Sequence, residues 1–200
     1  MTIPKQIKHI AKSSMWFIFG AIIGFFFFIS FVYFYYKQSY SHLVYEGVQI
    51  NGIDFGGETK DQVKSYFKDK NKFIKNIEVT IVDGDFSATI SAKKLDFGYD
   101  EDLLSDQAFI LGRSNNAVSN ISLIVQAYTT GADLKPAYKY KEDELNKKIK
   151  QIKNSIDVAP VDGVFSFENG KVIAFKLSKD DKSVHTEKLK QQILKKLSAN

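Results

Sequence analysis

Few side chains in this sequence are of the kinds that carry out chemistry. Its 200 residues include no cysteine, which removes disulfides, thiolate metal sites and a thiol nucleophile. The three histidines, His9, His42 and His185, are far apart in the chain and offer little to a histidine metal centre. Arg113 is the only arginine, every other cation being lysine. Its planar fork can hold a carboxylate or stack on a sugar face as an ammonium cannot. The plainer reading is a guanidinium resting on helix carbonyls beside Gly112, or paired with a nearby acid. Asp96-Phe97-Gly98 spells the magnesium tripeptide of kinases, but no glycine-rich loop, strand lysine or His-Arg-Asp accompanies it. Asp83/Asp85 fall in an expected turn and Asp100/Glu101/Asp102 at an expected helix start, where carboxylates cap amides and meet the helix dipole. A calcium loop would need a longer run of oxygen ligands. Neither a metal, a cofactor nor a catalytic residue is expected. The glycosylation-type triplet Asn120-Ile121-Ser122 lies in an expected helix and is read as chance.

The net charge of +5 is not spread evenly. Residues 1–37 contain Lys5, Lys8, Lys12 and Lys37 and no acid, which leaves 24 basic against 23 acidic residues in the rest of the chain. Phosphate recognition needs a concentrated basic face, so no nucleic-acid partner is expected.

Met15–Tyr36 is 22 residues without a charge and holds 12 of the chain's 28 aromatic residues. As a helix it covers about 33 Å, enough to cross a bilayer core. Its eight Phe, four Ile and one Val favour insertion by roughly 4–8 kcal/mol in sum. Trp16 at one end and Tyr33, Tyr35 and Tyr36 at the other suit the two membrane interfaces. A cleaved signal peptide would have a shorter apolar run ending in small residues, whereas this one ends in Tyr-Phe-Tyr-Tyr-Lys. The expectation is an uncleaved signal anchor with residues 1–14 cytoplasmic, a stalk at 37–42 and residues 43–200 outside, with a subdivision near 115. Gly20 and Gly24 form a G-x-x-x-G pattern, too common in membrane helices to predict a dimer.

Beyond the span, strands and helices alternate. Val48, Ile50 and Ile53, interrupted by Gly52, predict a short strand with a turn or bulge. Thr59 to Gln62 has the form of a capping box before a helix whose apolar face is Val63, Tyr66 and Phe67. Ile77, Val79 and Ile81, then Asp83-Gly84-Asp85, then Phe86, Ala88 and Ile90 predict a hairpin. Leu95–Tyr99 reads as a short extended piece. Leu103, Leu104, Ala108 and Leu111 predict a helix ending at Gly112. Val118, Ile121, Ile124, Val125 and Tyr128 predict another. Leu134–Tyr140 reads as a strand, and Leu145, Ile149 and Ile152 mark an amphipathic helix with acids first and lysines last, as the dipole favours. Val164–Phe175 reads as a hairpin turning at Glu168-Asn169-Gly170, and Leu189, Ile193, Leu194 and Leu197 as a closing helix. This interleaving with hairpins predicts an α+β fold, in one domain or two similar subdomains.

Three stretches, in order, resemble a known family. Tyr45-Glu46-Gly47-Val48 running into Asn51–Thr59 resembles the opening of the peptidoglycan-binding region that precedes VanW domains and some L,D-transpeptidase catalytic domains. Phe109–Asn115 resembles its G-R-x-G-N stretch, with Ser114 in place of a glycine. Ile156–Gly163 followed by Phe165 resembles its strand lead-in, with Gly163 in place of alanine. Glu58 stands where that family usually has an apolar residue. No VanW or transpeptidase domain follows these stretches here, and that transpeptidase chemistry needs a cysteine. The resemblance therefore implies the accessory region without the enzyme: a bacterial, membrane-anchored, non-catalytic envelope protein in contact with peptidoglycan. Arg113, Asn115 and Tyr99 are the ligand-contact candidates, and residues 15–36 meet the lipid bilayer. The alternatives are a scaffold for another envelope protein and the front part of a truncated or split VanW-type protein.

Overall fold

The computed structural model describes residues 5–157, 164–168, 171–176 and 183–199. It is an α+β fold, as the interleaved pattern predicts. The chain forms two compact units, each drawn from two stretches of sequence: residues 1–60 with 108–133, and residues 61–107 with 134–200.

The first unit begins with α1 (Lys5–Ser39). Its Ser14–Ser39 portion is long and apolar enough to cross a membrane, and the most apolar 18-residue window in it has a mean hydropathy of 2.4. No residue of that window is buried in protein. Two short strands follow, β1 (Val48–Ile50) and β2 (Ile53–Asp54), paired antiparallel with Ile50 opposite Ile53. Asn51 and Gly52 between them have φ of +53° and +75°, the two left-handed residues of a type I′ hairpin. A third strand, β6 (Ala132–Leu134), lies on the other edge of β1. Between them in sequence comes α5 (Ala117–Thr130), whose first turn is capped by Asn116 accepting from the Ser119 N–H. Val44, Tyr45, Val48, Ile50 and Phe55 are buried here with Ile124 and Ala127 of α5.

The second unit is built around α2 (Lys60–Ile74), the hairpin β3 (Glu78–Asp83) and β4 (Phe86–Ser91), and α6 (Glu142–Ile156) with α7 (Thr186–Ser198). The hairpin register sets Asp83 against Phe86, so Gly84-Asp85 is a two-residue loop, as the alternation predicts. Its inward residues pack with α6 and α7, which contribute Leu145, Ile149, Ile152 and Ile156, and Ile193 and Leu197. Each such side chain is worth roughly 1.5–3 kcal/mol when removed from water. A backbone hairpin, β8 (Val164–Glu168) with β9 (Lys171–Lys176), also forms. The turn residues Asn169-Gly170 and most of the Ile156–Gly163 lead-in fall outside the described residues.

Two expectations are corrected. Leu95–Tyr99 is not simply extended. Ala92–Leu95 forms one helical turn, α3, which buries Ala92 and Leu95, and only Gly98–Tyr99 is a strand, β5. Asp96 at φ +50° ends the turn, a conformation that Asp tolerates better than most residues. Leu134–Tyr140 is two strands rather than one, because Pro136 has no N–H for a continuous ladder. Its second part, β7 (Tyr138–Lys139), pairs with β5. As expected, α5 is a helix, and of the apolar residues that predict it Ile124 is buried. Asn120, Ile124 and Ala127 are buried, whereas Val118, Ile121, Val125 and Tyr128 are exposed. The remaining predicted helix, α4 (Glu101–Ile110), ends just before Gly112 at φ +71°, as expected.

Candidate functional site

Among the described residues, each unit has a cleft beside which polar side chains come together. In the first unit, α4 runs into Gly112 and delivers Arg113 under the end of α1. The guanidinium donates to the carbonyl of Phe109 through Nη1. Through Nη2 it donates to the carbonyls of Tyr40 (2.7 Å) and Leu43 (2.6 Å). It lies over the rings of Tyr45, 4.1 Å to the centroid, and Phe109, 4.3 Å. Tyr36, Tyr40 and Tyr45 stack beside it, with ring centroids 4.5–5.8 Å apart. The Tyr40 hydroxyl donates to Glu46 at 2.8 Å. Burial, then that bond to a carboxylate, push the Tyr40 pKa up to about 12. Burial likewise pulls the Arg113 guanidinium down, with Tyr45 and Tyr36 acting against it. A cleft of about 550 Å³ opens beside this cluster, lined in part by Phe34, Lys37, Gln38, Ser114 and Asn120. The buried Asn120 amide is spent on Ser114: it donates to the carbonyl at 2.6 Å and accepts from the N–H at 2.8 Å and the hydroxyl at 2.7 Å.

In the second unit, α2 presents Lys68, Asn71 and Lys72 one helical turn apart, and Lys75 follows just past its end. Facing them across a cleft of about 380 Å³ are Asp96, Gly98, Glu101 and Lys139. Asn71 fixes the two walls. Its Nδ2 donates to the Tyr99 carbonyl at 3.0 Å and to Glu101 at 3.2 Å, while its Oδ1 accepts from the Tyr99 N–H at 2.7 Å. Lys139 pairs with Glu101 at 2.9 Å, and Lys75 lies 3.8 Å from Asp96. Partial burial pushes the Glu101 carboxyl up, but the Lys139 ammonium and the residue's own N–H outweigh it and hold the carboxyl below its ordinary range. The bond to Glu101 raises Lys139 in turn. Lys72 also pairs with Asp69 at 2.7 Å, so the four ammonium groups of the cleft face three carboxylates.

Of the sequence-derived candidates, Tyr99 belongs to this second unit. It stacks on Tyr138 at 4.9 Å and leans on Phe67 at 5.0 Å. Burial and the Tyr99 hydroxyl push the Tyr138 phenol up. Arg113 and Asn115 belong to the first unit, and Asn115 lies exposed in the turn before α5. Arg113 has the carbonyl contacts of its plainer reading, and it also lies over two rings and lines the cleft of about 550 Å³. Of the four interface aromatics, Trp16 and Tyr35 are largely exposed and Tyr33 and Tyr36 partly covered. The lysine cleft and Asn71 were not singled out from sequence. The only available signal was Lys68, Lys72 and Lys75 spaced along one helix face, and lysines at such spacing usually mark a solvated face.

Comparison with known proteins adds one finding. A family model described as Putative peptidoglycan binding domain matches residues 88–200. No curated protein matches the chain, and no solved structure does.

Proposed function

This chain belongs to the family of peptidoglycan-binding domains matched over its residues 88–200, and on that premise we propose a membrane-anchored, non-catalytic envelope protein. In this reading α1 crosses the cytoplasmic membrane with residues 1–14 inside. Residues 43–200 lie on the extracytoplasmic side and contact peptidoglycan through the lysine-lined cleft. The observation that carries the reading is the family match, which includes Asp96, Gly98, Glu101 and Lys139 of the cleft. The chemistry agrees with it. Peptidoglycan presents stem-peptide carboxylates and muramyl lactyl groups, and exposed ammonium groups bind such anions weakly, reversibly and with strong dependence on salt. The orientation rests on Lys5, Lys8 and Lys12 preceding the span, because positive residues stay on the cytoplasmic side.

The test is co-sedimentation of the full chain, in detergent micelles, with purified sacculi. The wild type is expected to be retained at low salt and released as ionic strength rises past the point where the screening length is about 8 Å. The double substitution Lys68→Glu and Lys72→Glu, both on the exposed side of α2, is expected to weaken retention by about tenfold without loss of helix content. Retention unchanged in that variant would remove the cleft from the reading. No retention of the wild type would remove the wall contact itself.

A further inference from the structure

Apart from α1 on one flank, the outward face of α5 is uncovered among the described residues, and it is apolar where α2, α6 and α7 are charged. Val118, Ile121, Val125 and Tyr128 recur along one side and are 44–79% exposed. The 19 residues from Ser114 to Ala132 contain no charge. Some of the polar groups that remain are satisfied internally, whereas Ser122 and Gln126 are exposed. Thr129 and Thr130 donate their hydroxyls back to the helix carbonyls of Val125 (2.8 Å) and Gln126 (3.0 Å), and Asn120 is held by Ser114. This pattern suits a helix side in a medium that offers no hydrogen bonds. By contrast, α2, α6 and α7 are rich in lysine.

The position of α5 within its unit points to the same medium. Together with α1 it lines an apolar groove of about 550 Å³, with Phe28, Val32 and Tyr36 on the α1 side and Ile121, Val125 and Tyr128 on the α5 side. Phe28–Tyr36 is the C-terminal part of the apolar stretch. If the protein stood clear of the membrane at α5, only Met15–Phe27 would remain to cross it. Those 13 residues cover about 20 Å of helix, short of the roughly 30 Å of a hydrocarbon core. With Phe28–Tyr36 inside the bilayer, the stretch covers the core, and the helix packed along it enters as well.

We infer that α5 is a membrane-embedded helix, lying in the leaflet crossed by the C-terminal half of α1, with lipid acyl chains filling the α1–α5 groove. The inference rests on the proposed anchoring of α1 but not on peptidoglycan contact. It makes the first unit membrane-seated rather than a head held off on a short stalk. Apolar contact of this kind adds to the affinity of the span and fixes the rotation of the unit about it.

The chain has no native cysteine, so single-cysteine variants report cleanly. Val125→Cys, Tyr128→Cys, Phe26→Cys in the span and Ser87→Cys on the exposed side of β4 would each carry an environment-sensitive fluorophore. The full chain would then be reconstituted into phosphatidylcholine vesicles with and without brominated acyl chains. The bromolipid is expected to lower fluorescence about twofold at positions 26, 125 and 128 and to leave position 87 unchanged. Val118→Cys, at the far end of the same face, serves as a second probe if either α5 variant loses helix content. Quenching at 26 with none at 118, 125 or 128, where aqueous iodide quenches instead, would overturn the inference while leaving the anchor intact. The same holds if those positions are shielded from both quenchers, which would mean a protein partner or a second copy. No quenching at 26 would overturn the anchor and this inference with it.

Discussion

Replacing Gly47 by alanine is expected to open the first unit, at a cost of about 3 kcal/mol or more against the 5–15 kcal/mol typical of a whole domain. Gly47 has φ +77°, and a Cβ built on it would lie 1.9 Å from the Ala127 carbonyl oxygen and 2.7 Å from its carbon. A side chain there meets rigid helix backbone, not a flexible tip. The strand must move away from α5, and that also breaks the 2.9 Å bond from the Ala132 N–H to the Gly47 carbonyl, beside the pairing of β6 with β1. Gly52 supplies the control. Its φ is +75°, yet nothing lies within 4 Å of its added Cβ, so Gly52→Ala carries only the left-handed penalty of roughly 1–2 kcal/mol. Amide hydrogen exchange at Ala132 and along β1 distinguishes the two, with protection lost in Gly47→Ala and mostly kept in Gly52→Ala. Equal effects would mean that the close approach to α5 does not matter.

Arg113 is the second position where a single change is expected to be severe. One guanidinium binds the carbonyls of Tyr40, Leu43 and Phe109 and lies over two rings. Hydrogen bonds with a charged partner contribute about 1.5–3 kcal/mol each, and the carbonyls left behind would be only partly rehydrated. Arg113→Ala is therefore expected to destabilise the first unit by roughly 3–5 kcal/mol. Arg113→Lys should recover little, because a lysine ammonium has no planar faces and cannot reach three carbonyls in a fixed fork. Limited proteolysis of the Tyr40–Leu43 segment reads this out, with cleavage in both variants faster by about 30-fold or more. Wild-type resistance in Arg113→Lys would show that charge alone suffices and that the fork geometry adds nothing.

These two positions also show where the sequence was informative. The β3–β4 hairpin was legible because strict alternation stops at Gly84-Asp85 and resumes at Phe86. The helix at 142–156 was legible because Leu145, Ile149 and Ile152 are its buried stripe. In both, local pattern and burial direction agree. They disagree at α5, whose period reveals a helix but not the medium on its apolar side. The choice at Arg113 between a ligand and nearby carbonyls was left open because the carbonyl partners lie 70 and 73 residues upstream. The break at Pro136 could have been read from the missing N–H. The helical turn at Ala92–Leu95 could not, since four residues are too few to display a period. The lysine cleft depends on Asn71 bridging 28 residues to Tyr99, a distance over which local pattern carries no information.

The account depends most on which side of the membrane the domain occupies. The direct measurement is labelling of intact cells with a membrane-impermeant maleimide, comparing Ser87→Cys with Lys8→Cys in a chain that has no cysteine of its own. The account predicts that position 87 is labelled in intact cells and position 8 only after permeabilisation. The reverse pattern, or labelling of neither position until the membrane is opened, would place residues 43–200 where no wall polymer can reach them and would contradict it.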